Sequence, residues 1–260
     1  MKTVLTIAGS DSSGGAGIQA DLKTFEAFGL FGTSAITVLT AQNTQGVDAI
    51  QALPASFLKA QIESVLKDFD IAAIKIGMLY SKEIINAVKE VISTLDIPIV
   101  FDPVFISKAG SPLLQDESVE KMKELFKYAM VITPNRYEAD QLFCYRNDDP
   151  DELRKMQDVK VPILVKNCLN KSPSGKVSID ILYDANEKHT FKSEYIDTNN
   201  LHGTGCSYSS AIAANLALGH PLKVSIDQAK KFIVEALRSA PKIGNGPGPI
   251  NHKKGGENVS

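Results

Sequence analysis

The feature that most constrains this chain is a repeated order of short apolar run, polar loop and helical apolar stripe. The first such unit runs from the apolar segment 4–8 through a loop at 9–17 to a stripe that ends near Phe28. Short apolar runs indicate buried strands, and apolar residues at three- and four-residue spacing indicate helices. Strands that alternate with helices form parallel sheets covered on both faces. The order therefore predicts an α/β fold with a doubly wound, mostly parallel sheet.

The same alternation continues to residue 165, and it then changes. We expect further strands at 35–39, 72–76, 97–101, 130–133 and 162–165, and helices at 57–69, 84–95, 118–128 and 151–157. Two later runs, 177–183 and 189–192, flank the polar turn 184–187, which predicts an antiparallel hairpin at the sheet edge. A last helix is expected at 226–237.

Length and composition favour one domain over residues 1–260, because no linker-like segment or internal repeat interrupts the pattern. The segment 244–249 is too rich in Gly and Pro for regular structure, and the tail 253–260 is expected to be disordered. The net charge is −2 with Lys and Arg scattered, which indicates no nucleic-acid or membrane partner. Three widely spaced cysteines argue against a disulfide framework, so a cytoplasmic location is expected.

Residues 201–210 carry the strongest local signal of a binding site. Two glycines and small hydroxyl residues lead into a run of helix formers that ends at Gly219. The first-turn N–H groups of a helix have no partner inside the helix, so they attract an anion such as phosphate. The same position lowers the pKa of a thiol, and Cys206 supplies a thiol there.

The loops that follow the predicted strands hold most of the other polar candidates. In open parallel sheets, ligands bind outside the carboxyl ends of the strands. The loops expected at that edge are 9–17, 40–46, 77–78, 102–110 and 133–138. In one of these loops, Asp102 directly follows a strand. It could be a metal ligand, or it could simply form the turn before Pro103. Asn135 and Glu138 follow another strand at the spacing of a capping box, which leaves capping and ligand binding both open.

Two other patterns are weaker signals of a site. Residues 15–20 match the dinucleotide fingerprint GxGxxA, but six residues separate them from the strand, and no acidic residue ends the second strand. The chain has no Walker loop. Cys206 as a small buried residue is about as plausible as a reactive thiol. Cys144 and Cys168 are expected to be structural, and a pairing of Cys206 with His202 remains an alternative.

Seven motifs, which together span nearly the whole chain, resemble the hydroxymethylpyrimidine/phosphomethylpyrimidine kinases of thiamin biosynthesis, in the ribokinase-like superfamily. They are AGSDSSGGAGIQADLKTF (8–25), TVLTAQNTQGV (37–47), KIGML (75–79), DPVFISKAG (102–110), TPNRYEA (133–139), HGTGCSYSSAIAA (202–214) and GPGPINH (246–252). The resemblance implies a three-layer α/β/α sandwich, ATP with Mg²⁺, a homodimer, and transfer of phosphate to a pyrimidine hydroxymethyl group and then to the monophosphate.

The resemblance also implies roles for individual residues. Cys206 would accept the proton of the substrate hydroxyl, where most of the superfamily has aspartate, and Gln42 would read the pyrimidine ring. The remaining implied roles are an anion hole from Gly203, Thr204 and Gly205, a substrate pocket around Gly9, Ala16, Asp21, Val38 and Met78, ATP binding by Asn135, Lys166 and Gly205, and a metal near Asp102 and Glu138.

One segment departs from the family pattern. After Lys166 the family usually continues with two glycines and a histidine, whereas this chain has Asn167, Cys168 and Leu169. This loop borders the nucleotide, so nucleotide contacts there are in question. Two alternative functions remain open from the sequence: a pyridoxal or pyridoxine kinase of the same fold, and a protein outside the kinases, such as a dinucleotide oxidoreductase, a thiol enzyme or a nucleotide-binding protein without turnover.

Overall fold

The computed structural model describes residues 1–104, 118–146, 159–169, 176–185 and 187–257. The strands in these ranges are β1 (Thr3–Asp11), β2 (Phe31–Asn43), β3 (Gly46–Ala52), β4 (Ile71–Ile76), β5 (Ile99–Phe101), β6 (Val131–Ile132), β7 (Ile163–Leu169), β8 (Val177–Asp184) and β9 (Glu187–Glu194). The helices are α1 (Gly17–Ala27), α2 (Ala55–Asp68), α3 (Lys82–Ile92), α4 (Val119–Lys123), α5 (Arg136–Phe143), α6 (Thr204–Leu218), α7 (Leu222–Arg238) and α8 (His252–Gly256).

The strands form one sheet in the order β3-β2-β1-β4-β5-β6-β7-β8-β9. The pairs from β2 through β7 are parallel, while β3 at one edge and β8 with β9 at the other are antiparallel. The chain moves outward from β1 to β2 and then crosses to the other side of β1 with β4. This reversal places a crevice at the carboxyl ends of β1 and β4, where doubly wound sheets bind ligands.

Helices cover both faces of the sheet. Successive strand residues point to opposite sides, so each strand contributes side chains to two buried clusters. Leu5 belongs to the buried cluster under α2 and α3, whereas its neighbour Val4 belongs to the cluster under α1, α6 and α7. Phe101 and Val100 divide between the same two clusters. The predicted α/β/α sandwich with an antiparallel edge hairpin is therefore confirmed.

Helix α6 begins and ends at the two glycines that the sequence singled out. Gly203 precedes its first residue with a φ of 80°, and Gly219 follows its last with a φ of 95°. Both values lie in the left-handed region that glycine adopts without steric cost. The residues of α6 from Ser207 to Ala217 are buried, so this helix lies inside the molecule between the sheet and its neighbours.

Three expectations about secondary structure need correction or stay outside the described residues. The segment 40–46 is not a loop, since β2 continues to Asn43 and pairs with β3. The β3 side chains are half-buried or exposed, as at a sheet edge, so the strand lacks the apolar run that marks a buried one. The helix expected at 118–128 divides into α4 and a single 3₁₀ turn at Phe126–Tyr128. The helix expected at 151–157 lies outside the described residues.

The C-terminal segment is also more ordered than expected. Residues 244–249 are irregular, as predicted, but the expectation of disorder from residue 253 is wrong for the described part of the tail. The Asn251 side chain caps α8 by accepting a hydrogen bond from the Lys254 N–H at 3.2 Å. Gly255 lies directly against the Phe232 ring, which holds the helix on α7. Within the described ranges, the helices are all too short or too polar to cross a membrane.

Candidate active site

A cavity of about 420 Å³ lies at the carboxyl ends of the parallel strands, against the first turn of α6. It brings together residues that are far apart in the sequence. The predicted site residues in its wall are Gly9, Ala16, Gln42, Met78, Asp102, Asn135, Glu138, Lys166, Gly203, Thr204, Gly205 and Cys206. The two others, Asp21 and Val38, are fully buried behind the wall.

Gln42 stands at the end of β2, and neighbouring hydroxyl groups fix its position. The Thr40 hydroxyl shares its one proton between the Gln42 side-chain oxygen at 3.1 Å and the Ser10 carbonyl at 3.0 Å. The Gln42 backbone N–H donates to the Ser12 hydroxyl, and that hydroxyl donates to the Gln42 carbonyl, both at 2.8 Å. The amide is therefore anchored through its oxygen and its backbone. Its NH₂ group provides two hydrogen-bond donors at the cavity wall.

Asp21 and Lys75 form a fully buried ion pair beneath this part of the site. The Lys75 ammonium lies 2.9 Å from an Asp21 carboxylate oxygen. Hydroxyls of Thr6 and Ser210 donate to the same carboxylate at 2.6 and 2.7 Å. Burial alone would lower the pKa of Lys75, but the negative charges of Asp21, Cys206 and Asp102 and the hydrogen bond to Asp21 together outweigh it, and the pKa is raised. Asp21 therefore supports the pocket from behind.

The glycine turn before α6 packs against the loop after β1. A side chain on Gly203 would place its Cβ 1.8 Å from the Gly15 carbonyl oxygen, so only glycine fits. The Thr204 N–H donates to the Leu201 carbonyl at 3.3 Å, which occupies one of the N–H groups expected to bind an anion. Gly205 lies beside the Lys166 ammonium, since a Cβ there would be 3.7 Å from it.

Asp102 and Lys166 form a second buried ion pair, at the opposite side of the glycine turn. The Lys166 Nζ lies 2.8 Å from Asp102 Oδ1. The Thr133 and Ser209 hydroxyls donate to the Asp102 carboxylate at 3.1 and 3.2 Å. Burial lowers the pKa of Lys166, but the charges of Asp102 and Glu138 outweigh this, and the pKa is raised. Lys166 is therefore a permanent cation in the cavity wall.

Asn135 and Glu138 form the capping box that their spacing predicted. The Asn135 side chain accepts from the Glu138 N–H at 2.9 Å, and the Glu138 carboxylate accepts from the Asn135 N–H at 2.7 Å. Both residues also line the cavity, so capping and a place in the site coexist. In the part of the chain that the structure describes, His, Cys, Asp and Glu form no group of three that could hold a metal alone. Asp102 and Glu138 offer carboxylate oxygens of the kind that Mg²⁺ takes together with phosphate oxygens, but Asp102 Oδ1 already accepts from Lys166 and Glu138 Oε2 from the Asn135 N–H.

The Cys206 thiol does not have the lowered pKa that its place in the sequence suggested. The residue is half-buried at the cavity wall. Burial raises the pKa of the thiol to about 11, and the carboxylates of Asp21 and Asp102 add to the rise, while Lys75 and the Gly17 N–H oppose it. The expected lowering toward neutrality is therefore wrong. A helix N-terminus does not outweigh this loss of water and this excess of nearby negative charge.

His202 is held by Asp11, so the alternative of a Cys–His pair is not supported. Its Nε2 lies 2.7 Å from an Asp11 oxygen, and the His202 N–H donates to the Gly248 carbonyl. Burial would raise the pKa of Asp11, but hydrogen bonds from His202, Ser13 and the Ala16 N–H lower it to about 2. The pair joins the loop after β1 to the start of α6.

Of the two other cysteines, only Cys168 is buried as a structural cysteine would be. Cys144 is exposed and ends α5 in a left-handed conformation, with a φ of 53°. Cys168 is buried, and its thiol donates to the Val165 carbonyl at 3.1 Å. Burial raises the pKa of Cys168 to about 11, so this thiol is protonated at neutral pH.

Several polar residues in the cavity wall were missed from the sequence. They are Asp11, Lys75, Asp180, Tyr208 and Lys230. Each lies within a strand, a helix or a strand end, where a single polar residue looks like part of the solvent face. One signal was available for Asp180, which stands between Ile179 and Ile181 in an apolar run.

Comparison with known proteins agrees with this geometry. The phosphomethylpyrimidine kinase family model matches residues 11–251. The hydroxymethylpyrimidine/phosphomethylpyrimidine kinase of Haemophilus influenzae is 44% identical over 262 residues, covering 97% of each chain. The thiamine biosynthesis bifunctional protein ThiED of Geobacter sulfurreducens is 41% identical over 99% of this chain, which spans about half, 53%, of that longer protein.

The fold has a similar match among solved structures. An ADP complex of Bacillus subtilis pyridoxal kinase superposes with a TM-score of 0.85 and 33% identity, over 98% of both chains. The sequence identity to this pyridoxal kinase is lower than to the pyrimidine kinase of Haemophilus influenzae. The chain thus belongs to the phosphomethylpyrimidine kinase family, and it is a phosphotransferase with the ribokinase-like fold.

Proposed function

We propose that this protein uses ATP to phosphorylate 4-amino-5-hydroxymethyl-2-methylpyrimidine and then its monophosphate, in thiamin biosynthesis. The observation that carries the proposal is the single cavity that joins Gln42, Cys206 and Lys166. One end offers an anchored amide for a flat ring with donor and acceptor atoms. The other offers a buried cation and a helix start for phosphates. Phosphoryl transfer requires this in-line placement more than it requires covalent chemistry.

The triphosphate would lie between the glycine turn and the Lys166–Asp102 pair. Lys166 is a buried cation, and Gly205 leaves the space beside it open. Mg²⁺, held by the phosphates with Asp102 and Glu138, would neutralise phosphate charge. The first-turn N–H groups of α6 would stabilise the charge that develops on the transferred group. An ADP-bound neighbour with this fold supports the nucleotide assignment.

Cys206 would accept the proton of the substrate hydroxyl as the new P–O bond forms. Its place in the first turn of α6 supports this role, because the phosphate must arrive at the same turn. A thiol pKa of about 11 opposes it, since only the thiolate can take a proton. The proposal therefore requires the rate to follow the small thiolate fraction. Lys75 lowers the pKa of the Cys206 thiol. A charged ligand that binds near Lys75 would therefore change the fraction of Cys206 that is thiolate.

Three further features complete the proposal. We propose that the chain acts as one domain in the cytoplasm, as its uninterrupted pattern and its three scattered cysteines indicate, and that it forms a homodimer, as the family resemblance implies. Light scattering of the purified protein would give the mass of the assembly, against the 28.1 kDa of one chain.

The substrate is tested by comparing three acceptors in one assay. Mg²⁺-dependent ADP release should occur with hydroxymethylpyrimidine and with its monophosphate, each with a higher kcat/KM than pyridoxal. A higher kcat/KM for pyridoxal would identify the protein as a pyridoxal kinase instead, the activity by which the structural neighbour is named. No ADP release with any acceptor would contradict the kinase proposal and favour one of the functions outside the kinases.

A further inference from the structure

Strand β7 contains an irregular step at the point where it enters the cavity. Val165 pairs with Ile181 and Leu169 pairs with Ile179, so residues 166–168 face the single residue Asp180 on β8. Asn167 in this step has a φ of 56°. Bulges of this kind interrupt the ladder of backbone hydrogen bonds and turn the side chains beside them. The Asn167 N–H therefore needs an acceptor other than the neighbouring strand's backbone.

The Asp180 carboxylate supplies that acceptor. It accepts from the Asn167 N–H at 2.9 Å, from the Tyr208 hydroxyl at 2.9 Å and from the Lys230 ammonium at 2.6 Å. Asp180, Tyr208 and Lys230 are each at most 5% exposed. One side chain thus connects β7, β8, α6 and α7 at the cavity wall. All of these residues also line it.

Lys230 is the counter-charge that this buried carboxylate requires. An unpaired carboxylate in such surroundings would lose its hydration without compensation. The Lys230 ammonium also lies 3.3 Å from the Ser178 hydroxyl, so it has a second partner. Burial and the charge of Asp180 raise the pKa of Tyr208 well above 10, so its hydroxyl stays a donor.

The step in β7 directly follows the cationic residue of the site. The Lys166 N–H donates to the Pro134 carbonyl at 2.9 Å, and the next N–H, that of Asn167, donates to Asp180. The backbone on both sides of the Lys166 Cα is therefore fixed. The side chain between these two hydrogen bonds reaches Asp102 across the cavity.

We infer that Asp180 is a positioning residue for Lys166: its carboxylate closes the irregular step in β7, with Lys230 as counter-charge, and so holds the Lys166 ammonium where nucleotide phosphates bind. The inference rests on the proposed function in taking Lys166 as a phosphate contact. It also accounts for the departure at residues 167–169. Asn tolerates the left-handed conformation better than most residues, and the hydrogen bond from its N–H stabilises the turn.

Two double substitutions separate this positioning from simple stability. D180N/K230M and D180L/K230M both remove the buried charges, but only the first keeps an oxygen that can accept from the Asn167 N–H. We expect D180N/K230M to have a Kd for ADP and a KM for ATP within about threefold of wild type, and D180L/K230M to raise both about tenfold or more. The KM for the pyrimidine should stay within about twofold in each. Calorimetry gives the Kd and steady-state kinetics give the KM values.

The matched control is Asp184→Asn, four residues further along β8, which should leave these constants unchanged. A folded D180L/K230M with wild-type affinity for ADP would overturn the inference and leave the network a structural role only. Equal losses in both double variants would also overturn it, since the acceptor would then have no effect. A wild-type enzyme without turnover would contradict the proposed function instead, while the ADP comparison would still test the positioning.

A measurement on the wild-type protein decides the case if D180L/K230M does not fold. The Asn167 amide hydrogen should exchange with solvent at least about a hundredfold more slowly than a free amide, and more slowly still with ADP bound. An Asn167 amide that exchanges at the rate of an exposed loop, with and without ADP, would exclude the proposed hydrogen bond and its role.

Discussion

The Cys206 thiol lies among charges of both signs at the start of α6. Asp21 and Asp102 raise its pKa beyond the effect of burial, and Lys75 acts against them, with a result of about 11. At pH 7 the thiolate is then on the order of one molecule in ten thousand. Since each pH unit below the pKa changes that fraction tenfold, a reaction that needs the thiolate depends steeply on pH.

The first prediction concerns Cys206 as the proton acceptor. Cys206→Ala should lower kcat about a hundredfold or more while the KM for the pyrimidine changes little, because proton transfer is lost and binding is kept. The wild-type kcat should rise between pH 6 and 9 as the thiolate fraction rises. The variant should lose this rise, and steady-state kinetics across the pH range would show it.

Cys144→Ala is the matched control for this prediction. Cys144 is exposed at the end of α5, so its loss should leave both kcat and the pH profile as in wild type. A Cys206→Ala enzyme with unchanged turnover would remove Cys206 from the mechanism.

At the residue scale, the sequence predicts where a side chain lies in its helix or strand, but not which groups surround it in the fold. The first-turn place of Cys206 follows from two glycines and a helical run, and the structure confirms it. The pKa depends on burial and on the charges near the thiol, among them Asp21 and Asp102, which approach it only when α1 and β5 pack around α6. The same holds for Asn167 and Asp180, whose contact depends on the pairing of β7 with β8.

Among the elements, buried strands were easier to predict than edge strands. Apart from Lys75 and Thr6, strand β4 and the interior of β1 are apolar because helices cover both faces, so their apolar runs are visible in the sequence. Strand β3 has no such cover and shows only weak alternation, so it was missed. The consequence reaches the site, because Gln42 lies at the end of a strand rather than in a loop, and its backbone is held by Ser12.

The second prediction concerns the start of α6. Gly203→Ala should cost roughly 3 kcal/mol of unfolding free energy, from left-handed strain together with overlap against the loop after β1. The Gly15 carbonyl oxygen lies 1.8 Å from where the new Cβ would stand. Urea unfolding measures the loss, and ADP release should fall with it, because the turn and its N–H groups must shift.

Gly219→Ala is the control at the other end of the same helix. Its φ of 95° is also left-handed, but nothing lies within 4 Å of the added Cβ. The cost there should be only about 1 kcal/mol, with turnover unchanged. Equal costs at the two glycines would contradict a close packing of the α6 start against the β1 loop.

At the scale of the whole molecule, the C-terminal segment locks the site side of the fold. The segment after α7 packs against the residues before α6, where the His202 backbone N–H donates to the Gly248 carbonyl. It also contacts α7 itself, where the Asn251 backbone N–H donates to the Ala236 carbonyl. Helix α8 then places His252 against Ser207, with 2.8 Å between Nε2 and the hydroxyl oxygen. Ser207 is in the first turns of α6, one residue after Cys206. The tail therefore supports the same helix start that the glycines form.

The last prediction concerns acid stability and follows from this contact. Burial lowers the pKa of His252 from 6.5 to about 4, and the charge of Lys23 adds to the effect. The unfolded chain therefore binds this proton at a higher pH than the folded protein, so the stability from the neutral ring is complete above pH 6.5 and is lost as pH falls toward 4. The full loss corresponds to about 3 kcal/mol. His252→Gln keeps a polar partner for Ser207, and it should reduce the change in unfolding free energy, measured with urea, between pH 7 and 4. His220 is exposed after α6, so His220→Gln should keep the wild-type pH dependence. A wild-type slope in His252→Gln would show that acid acts elsewhere in the molecule.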